Sequence, residues 1–223
     1  MTAVKVRERK ARVKKLITAL RRRYTSAGMI LQYSNNWELL VAVILSAQCT
    51  DKRVNDVTKK LFKKYKTLDE YILANPKKFE QDIFSTGFYR HKTKNILAAA
   101  KFVKERYHGN IPKTMQEMLA IPGVARKTAN VVLGNAHNIV EGIAVDTHVR
   151  KFAIRFDLSD HTQPEKIERD LMQIMPKKDW FAFTYLVIEY GREIKSPKQD
   201  DPLVSIFSKA RERWKLVKKA GAT

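Results

Sequence analysis

Apolar residues recur at three- and four-residue intervals through most of the chain, and the strict alternation of a half-buried strand is scarce. Val13, Leu16, Ile17 and Leu20 form such a stripe on a basic N-terminal segment, which predicts an amphipathic helix. The run Trp37–Leu45, entered from Asn36, is almost continuously apolar and predicts a buried helix. Thr50 is placed to cap a helix from Asp51 to about Tyr65. Leu203, Ile206, Phe207, Ala210, Trp214 and Val217 stand at helical spacing, predicting a packed C-terminal helix from Pro202. The punctuation agrees. A hydroxyl residue is followed three places on by Glu at Thr67–Glu70, Thr114–Glu117 and Thr162–Glu165, the pattern of a capping box. Asn75-Pro76 and Asp201-Pro202 put proline first in a helix, and Gly109 and Gly191 stand where C-caps are expected. Reading these signals together gives about eleven helices. The alternation over residues 139–145 is too short for a sheet, so the expected fold class is all-α. No Gly/Ser-rich linker interrupts the pattern, and any division into domains must be made by packing.

Charge changes this picture more than composition does. Lys and Arg number 44 against 23 Asp and Glu, a formal net charge of +21, which points to a polyanionic partner and to nucleic acid first. The 223 residues suffice for one large or two small domains with a real core. A single cysteine, Cys49, excludes an intrachain disulfide and a multi-cysteine metal site. No apolar run reaches the length of a membrane span, and the basic N-terminus has no secretory core, so no membrane partner is expected.

The chemistry concentrates in residues 117–150. Ile121-Pro122-Gly123-Val124-Ala125 separates two predicted helices, the second starting with Arg126-Lys127-Thr128. Pro122 ends the first helix, and Gly123 can adopt a backbone conformation closed to most residues. A phosphate can then approach the N–H groups at the next helix start, where the helix dipole favours an anion. Lys127 lies in that first turn beside Arg126; the dipole, the neighbouring cation and expected desolvation all favour a neutral, nucleophilic amine. Asp146 stands at the start of another predicted helix, where a carboxylate caps well and stays ionised. On these residues alone the alternatives remain open: a plain Pro-Gly turn, a solvated or phosphate-binding Lys127, and a purely capping Asp146.

The longer string from Leu119 to Leu133 resembles the helix-hairpin-helix of the DNA glycosylase superfamily, in particular its endonuclease III branch. Leu39–Asp51 looks like that branch's early helix and following turn, Ser85–Asn95 like its intercalating loop, and Ala144–His148 like its aspartate motif. The resemblance spans about residues 30–192. It implies two all-helical domains with a DNA-binding cleft between them: a six-helix barrel over 29–139, and a second domain from 1–28 with 140–223. It also implies a bifunctional DNA glycosylase and abasic-site lyase of base excision repair, acting on oxidised pyrimidines in double-stranded DNA. Lys127 matches the nucleophile and Asp146 the catalytic aspartate. Gln48 and Phe88 match the positions that fill the base stack once a nucleotide is flipped out. Tyr89, His91 and Lys92 extend that loop along the DNA, and Gly123, Ala125 and Arg126 form the phosphate-facing hairpin. Ser46, Asp51 and His148 line or brace the substrate pocket.

Two departures stand out. Many endonuclease III relatives hold a four-iron cluster through cysteines in the C-terminal region, and this chain has none after Cys49. No iron–sulfur cofactor and no catalytic metal are therefore expected, the helix from Pro202 being the natural substitute; a structural monovalent cation on the hairpin's main-chain carbonyls is the one ion foreseen. Lys195, Lys198, Lys209 and Arg211 are candidates for the backbone contacts that the cluster loop offers in relatives. The second departure is Ala125, where the hairpin often carries another glycine. Rival readings are a mismatch or purine-lesion glycosylase on the same scaffold and a noncatalytic hairpin protein. A monomer is expected, nucleoid-associated in the cytoplasm for a prokaryotic source.

Overall fold

A computed structural model describes residues 2–196 and 199–220. Its described residues form helices and no strand. The first eight α-helices are α1 Ala3–Arg23, α2 Asn36–Leu45, α3 Asp51–Lys64, α4 Leu68–Ile72, α5 Pro76–Ile83, α6 Tyr89–Tyr107, α7 Met115–Ala120 and α8 Arg126–His137. Then follow α9 Thr147–Arg155, α10 Pro164–Ile174, α11 Lys177–Glu193 and α12 Trp214–Ala220. Three 3-10 turns lie at Phe84–Thr86, Pro202–Ser205 and Ser208–Ala210.

The chain divides into two compact units, Ile30–Ile139 and Met1–Met29 with Val140–Thr223. In the central unit, α2 is buried from Trp37 to Leu45 and packs on α8, while α6 packs on α4 and α5. Trp37, Tyr65, Tyr71 and Phe79 make a ring cluster with centroids 5.3–5.8 Å apart, beyond what area burial alone contributes. In the terminal unit, the predicted stripe Val13, Leu16, Ile17 and Leu20 is buried, and α1 packs on α10 and α11. Phe152, Phe156, Phe183 and Tyr190 fill the space between α9 and α11. Arg9 is also buried there, its guanidinium 2.9 Å from Asp157 and 2.7 Å from Asp160.

Local caps follow the expectations in part. Thr67 and Glu70 close a reciprocal capping box, and Thr50 and Asn75 cap α3 and α5. Thr114 accepts from the Glu117 amide but turns its own hydroxyl onto the Glu117 carboxylate at 2.7 Å. The Thr162 box does not form: Pro164 occupies the first turn and moves the start to Gln163, past Thr162. The cap of α2 is Asn35 rather than Asn36, accepting from the Glu38 amide at 2.9 Å. Gly191 is no C-cap; it lies inside α11.

The C-terminal segment is not one helix. It runs through two 3-10 turns before α12, with Phe207 extended at φ −148° and ψ 91°. Leu203, Ala210 and Val217 are buried as the spacing suggested, but by an irregular path. The reason is tertiary: the Arg155 side chain donates to the Ala210 carbonyl at 3.3 Å, and the Arg12 guanidinium sits 4.1 Å over the Phe207 ring.

Candidate functional site

The hairpin between α7 and α8 is a tight turn. Val124 N–H donates to the Ile121 carbonyl at 3.1 Å, with Gly123 at φ +79°. Proline then glycine at the two central positions is the sequence of a type II turn, which requires positive φ at the second. Gly123 answers a second demand too: a Cβ there would lie 2.7 Å from the Asn95 Cβ on α6. Ala125, exposed and extended at φ −93°, stands at the N-cap of α8 with no side-chain cap bond. The first helical bond is Ala129 N–H to the Ala125 carbonyl, so the amides of Lys127 and Thr128 have no carbonyl within the helix. Arg126 is half-buried and Lys127 exposed, so the desolvation expected for Lys127 is not supplied by the protein's own packing.

Gln48 and Phe88 share an unusual backbone. Both are exposed, and both take left-handed φ, +52° and +49°, which non-glycine residues rarely adopt. Phe88 is 65% exposed and so is not part of a core. Phe84, also exposed, packs its ring 4.8 Å from that of Tyr89, giving the loop three neighbouring aromatics. Ser46 follows α2 and donates its hydroxyl to the Val43 carbonyl at 2.8 Å; Asp51 opens α3 and is half-buried. His91 is exposed, a ring nitrogen 3.3 Å from the Asn95 amide.

Lys92 corrects the sequence reading. It is only 3% exposed, not a cation offered to DNA. Its ammonium donates to the main-chain carbonyls of Leu45 and Thr86, each at 2.8 Å. These are the last residues of α2 and of the Phe84–Thr86 turn, whose carbonyls lack helical partners. Burial pushes the Lys92 amine below the usual lysine range. The first two turns of α6 thus meet the α2 end, the aromatic loop and, through Asn95, the hairpin.

Asp146, in the terminal unit, is the N-cap of α9. Its carboxylate accepts from the Val149 amide at 2.8 Å, which fixes the side chain at the helix start. His148 lies in the first turn of α9, half-buried against Gly191, where an added Cβ would fall 2.1 Å from its Nδ1. The mid-helix glycine therefore makes room for the imidazole. No periodicity signal could reveal this, since the two positions are far apart in sequence. His148 also lines a cavity of about 430 Å³ with Lys151, Tyr190 and Trp214.

The C-terminal arm is held by a buried arginine. Arg155 reaches Asp201 at 2.6 Å, the Tyr190 hydroxyl and the Ala210 carbonyl, with the Trp214 ring 4.1 Å from its guanidinium. Tyr190 in turn donates to Asp201 at 2.7 Å. A cysteine-held cluster does not fit these residues. Cys49 is the chain's only cysteine and belongs to the central unit, and no three His, Cys, Asp or Glu side chains converge among the described residues. Lys195, Lys209 and Arg211 are exposed on the arm; Lys198 lies outside the described residues.

The glycine hairpin brings amides outside the helical ladder to the start of α8, an arrangement able to receive a phosphate, and Asp146 caps α9. The model of the HhH-GPD superfamily of base excision DNA repair proteins matches residues 41–177. Endonuclease III of Synechocystis sp. is 44% identical over 190 residues, covering 85% of this chain and 87% of that protein. Endonuclease III of Bacillus subtilis is 42% identical, over 85% of this chain and 89% of that protein. A solved endonuclease III trapped as a covalent intermediate with DNA superposes with a TM-score of 0.86 at 37% identity, covering 92% of this chain and 98% of the other. A thermostable thymine-DNA glycosylase shares the fold at a TM-score of 0.77 and 16% identity. The chain belongs to the HhH-GPD superfamily of base excision DNA repair proteins. Among the described residues no helix is long and apolar enough to cross a membrane.

Proposed function

We propose that this chain removes oxidised pyrimidines from double-stranded DNA and cleaves the resulting abasic site, as a DNA glycosylase and lyase of base excision repair. The observation that carries the reading is Lys127 in the first turn of α8, directly after the Ile121–Ala125 turn, in a chain 44% identical to an endonuclease III. The hairpin amides and the start of α8 bind a DNA phosphate without reading sequence. The target nucleotide leaves the stack, and Gln48 and Phe88 fill the space it vacates. The neutral Lys127 amine attacks C1′; the C1′–base bond breaks, the base leaves with the electron pair and is protonated. Ring opening then gives an imine between Lys127 and C1′. Loss of a C2′ proton from that imine expels the 3′ phosphate by β-elimination, and water later frees the lysine. The Asp146 carboxylate, held by its cap bond, stabilises positive charge on the sugar and takes part in the proton transfers. By resemblance Ser46, Asp51 and His148 serve the substrate, and Tyr89, His91 and Arg126 follow the strand. No cysteine-held cluster takes part, since such a cluster needs more thiolates than one chain cysteine provides. A monovalent cation on the hairpin carbonyls is compatible with this scheme.

The test is borohydride trapping on a duplex carrying one oxidised pyrimidine, beside a duplex with an intact abasic site. The expected result is a covalent adduct on both that is lost in Lys127→Ala. An adduct on the abasic duplex alone would leave the lyase and remove the lesion assignment. An adduct on neither, with duplex binding kept, would overturn the imine mechanism.

A further inference from the structure

Lys92 is buried, yet both its observed partners are neutral main-chain carbonyls, Leu45 and Thr86. Leu45 lies three residues before Gln48, and Thr86 two before Phe88. A lysine can serve both because its ammonium carries three donors on a long stem. Gln48 and Phe88 sit in left-handed backbone conformations that persist only when the surroundings over-determine them. Each turn has some bonding of its own: Cys49 N–H to the Ser46 carbonyl at 3.1 Å, Gly87 N–H to the Phe84 carbonyl at 3.3 Å, and the Thr86 hydroxyl to the Ile83 carbonyl at 2.8 Å. None of these bonds joins one turn to the other. The Lys92 ammonium does.

We infer that Lys92 is a positioning residue that fastens the Gln48 turn to the Phe88 turn, so that both side chains meet the base stack in fixed register. The inference rests on the stack-filling roles given to Gln48 and Phe88 above. Its consequence is specific: losing the ammonium harms steps that need a nucleotide held out of a duplex more than it harms imine formation itself. A lysine that only stabilised the fold would harm both alike.

Lys92→Met keeps the aliphatic stem and removes the donors; Lys92→Gln restores amide donors on a shorter stem. Each variant is compared with the unaltered protein on two substrates. One is a duplex with an oxidised pyrimidine beside 2-aminopurine, whose fluorescence reports unstacking. The other is a single-stranded oligonucleotide with one abasic site, trapped with borohydride, where no stack needs filling. Lys92→Met is expected to lower the ratio of duplex to single-strand activity about tenfold, with a reduced 2-aminopurine rise and a partial recovery in Lys92→Gln. Equal losses on both substrates, or an unchanged ratio, would overturn the inference. Should Lys92→Met fail to fold by circular dichroism, the ratio in Lys92→Gln decides alone by the same criterion. Failure of the unaltered protein to trap any substrate would refute the glycosylase and lyase reading instead, and the inference with it.

Discussion

Lys92 in the central unit and Arg155 in the terminal unit are both buried cations, and they are satisfied in opposite ways. Lys92 has carbonyl partners and no charged one among its observed bonds, and burial disfavours its charged form. Arg155 faces a carboxylate, a phenol and a carbonyl, and its flat guanidinium stacks on Trp214. The ammonium bridges two helix ends inside the central unit. The guanidinium gathers an arm that runs through short 3-10 turns before its helix. Where a chain must hold an irregular segment without thiolates, a planar, permanently charged group with several donors does what a point charge would do poorly.

The largest effect is expected at Arg155. Arg155→Met leaves Asp201 buried without its counter-charge, and should cost about 3–5 kcal/mol, read as a fall in denaturant midpoint. If Arg155→Met with Asp201→Leu recovers much of that loss, the network specifies the arm's path more than it stabilises the fold. Lys92→Met should cost less, about 2 kcal/mol, because two carbonyls lose a donor but no charge is stranded. A loss as large as that of Arg155→Met would show the two cations to be equivalent. Gly191→Ala sharpens the picture on the α9–α11 side. The new methyl must displace the His148 ring, at about 1–2 kcal/mol, and the His148 imidazole resonances should shift while those of His91 stay. The smallest effect belongs to Asp160, whose carboxyl the buried Arg9 guanidinium holds down at about 2. Its folded value lies below the unfolded one near 3.9, so its contribution is complete above about pH 4 and lost as pH falls toward 2. Asp160 is 42% exposed at the side chain, so screening keeps the gain under about 1 kcal/mol. The stability difference between the unaltered protein and Asp160→Asn should vanish at the acid end of that window.

Much of the site was readable because its signals are local. Pro122 before Gly123 encodes a positive-φ turn within four residues, and Asp146 caps its helix through the amide three residues ahead. Thr50, Thr67 and Asn75 mark their helices for the same reason. Lys92 was misread because a lysine in a basic run carries no mark of burial; its acceptor on Leu45 is 47 residues away. Gly191 looked like a cap because glycine often ends helices, and only the packed His148 ring explains it inside one. The apolar spacing after Pro202 marked core-facing positions, Leu203, Ala210 and Val217 buried and Ile206, Phe207 and Trp214 partly so, but with the wrong backbone, since periodicity does not record which bonds Arg12 and Arg155 impose.

The sequence by itself determined an all-helical chain, its caps, the glycine hairpin with its first-turn lysine, and the lack of cysteine ligands in the C-terminal region. All of these depend on backbone sterics, on hydrogen bonds a few residues long, or on composition. Tertiary structure alone decided which cations are buried, why Gly191 is needed, how the C-terminal arm runs, and that Gln48 and Phe88 are both held exposed in left-handed turns. Those outcomes depend on groups brought together across tens of residues, where desolvation must be met by a particular partner and no local pattern records which one.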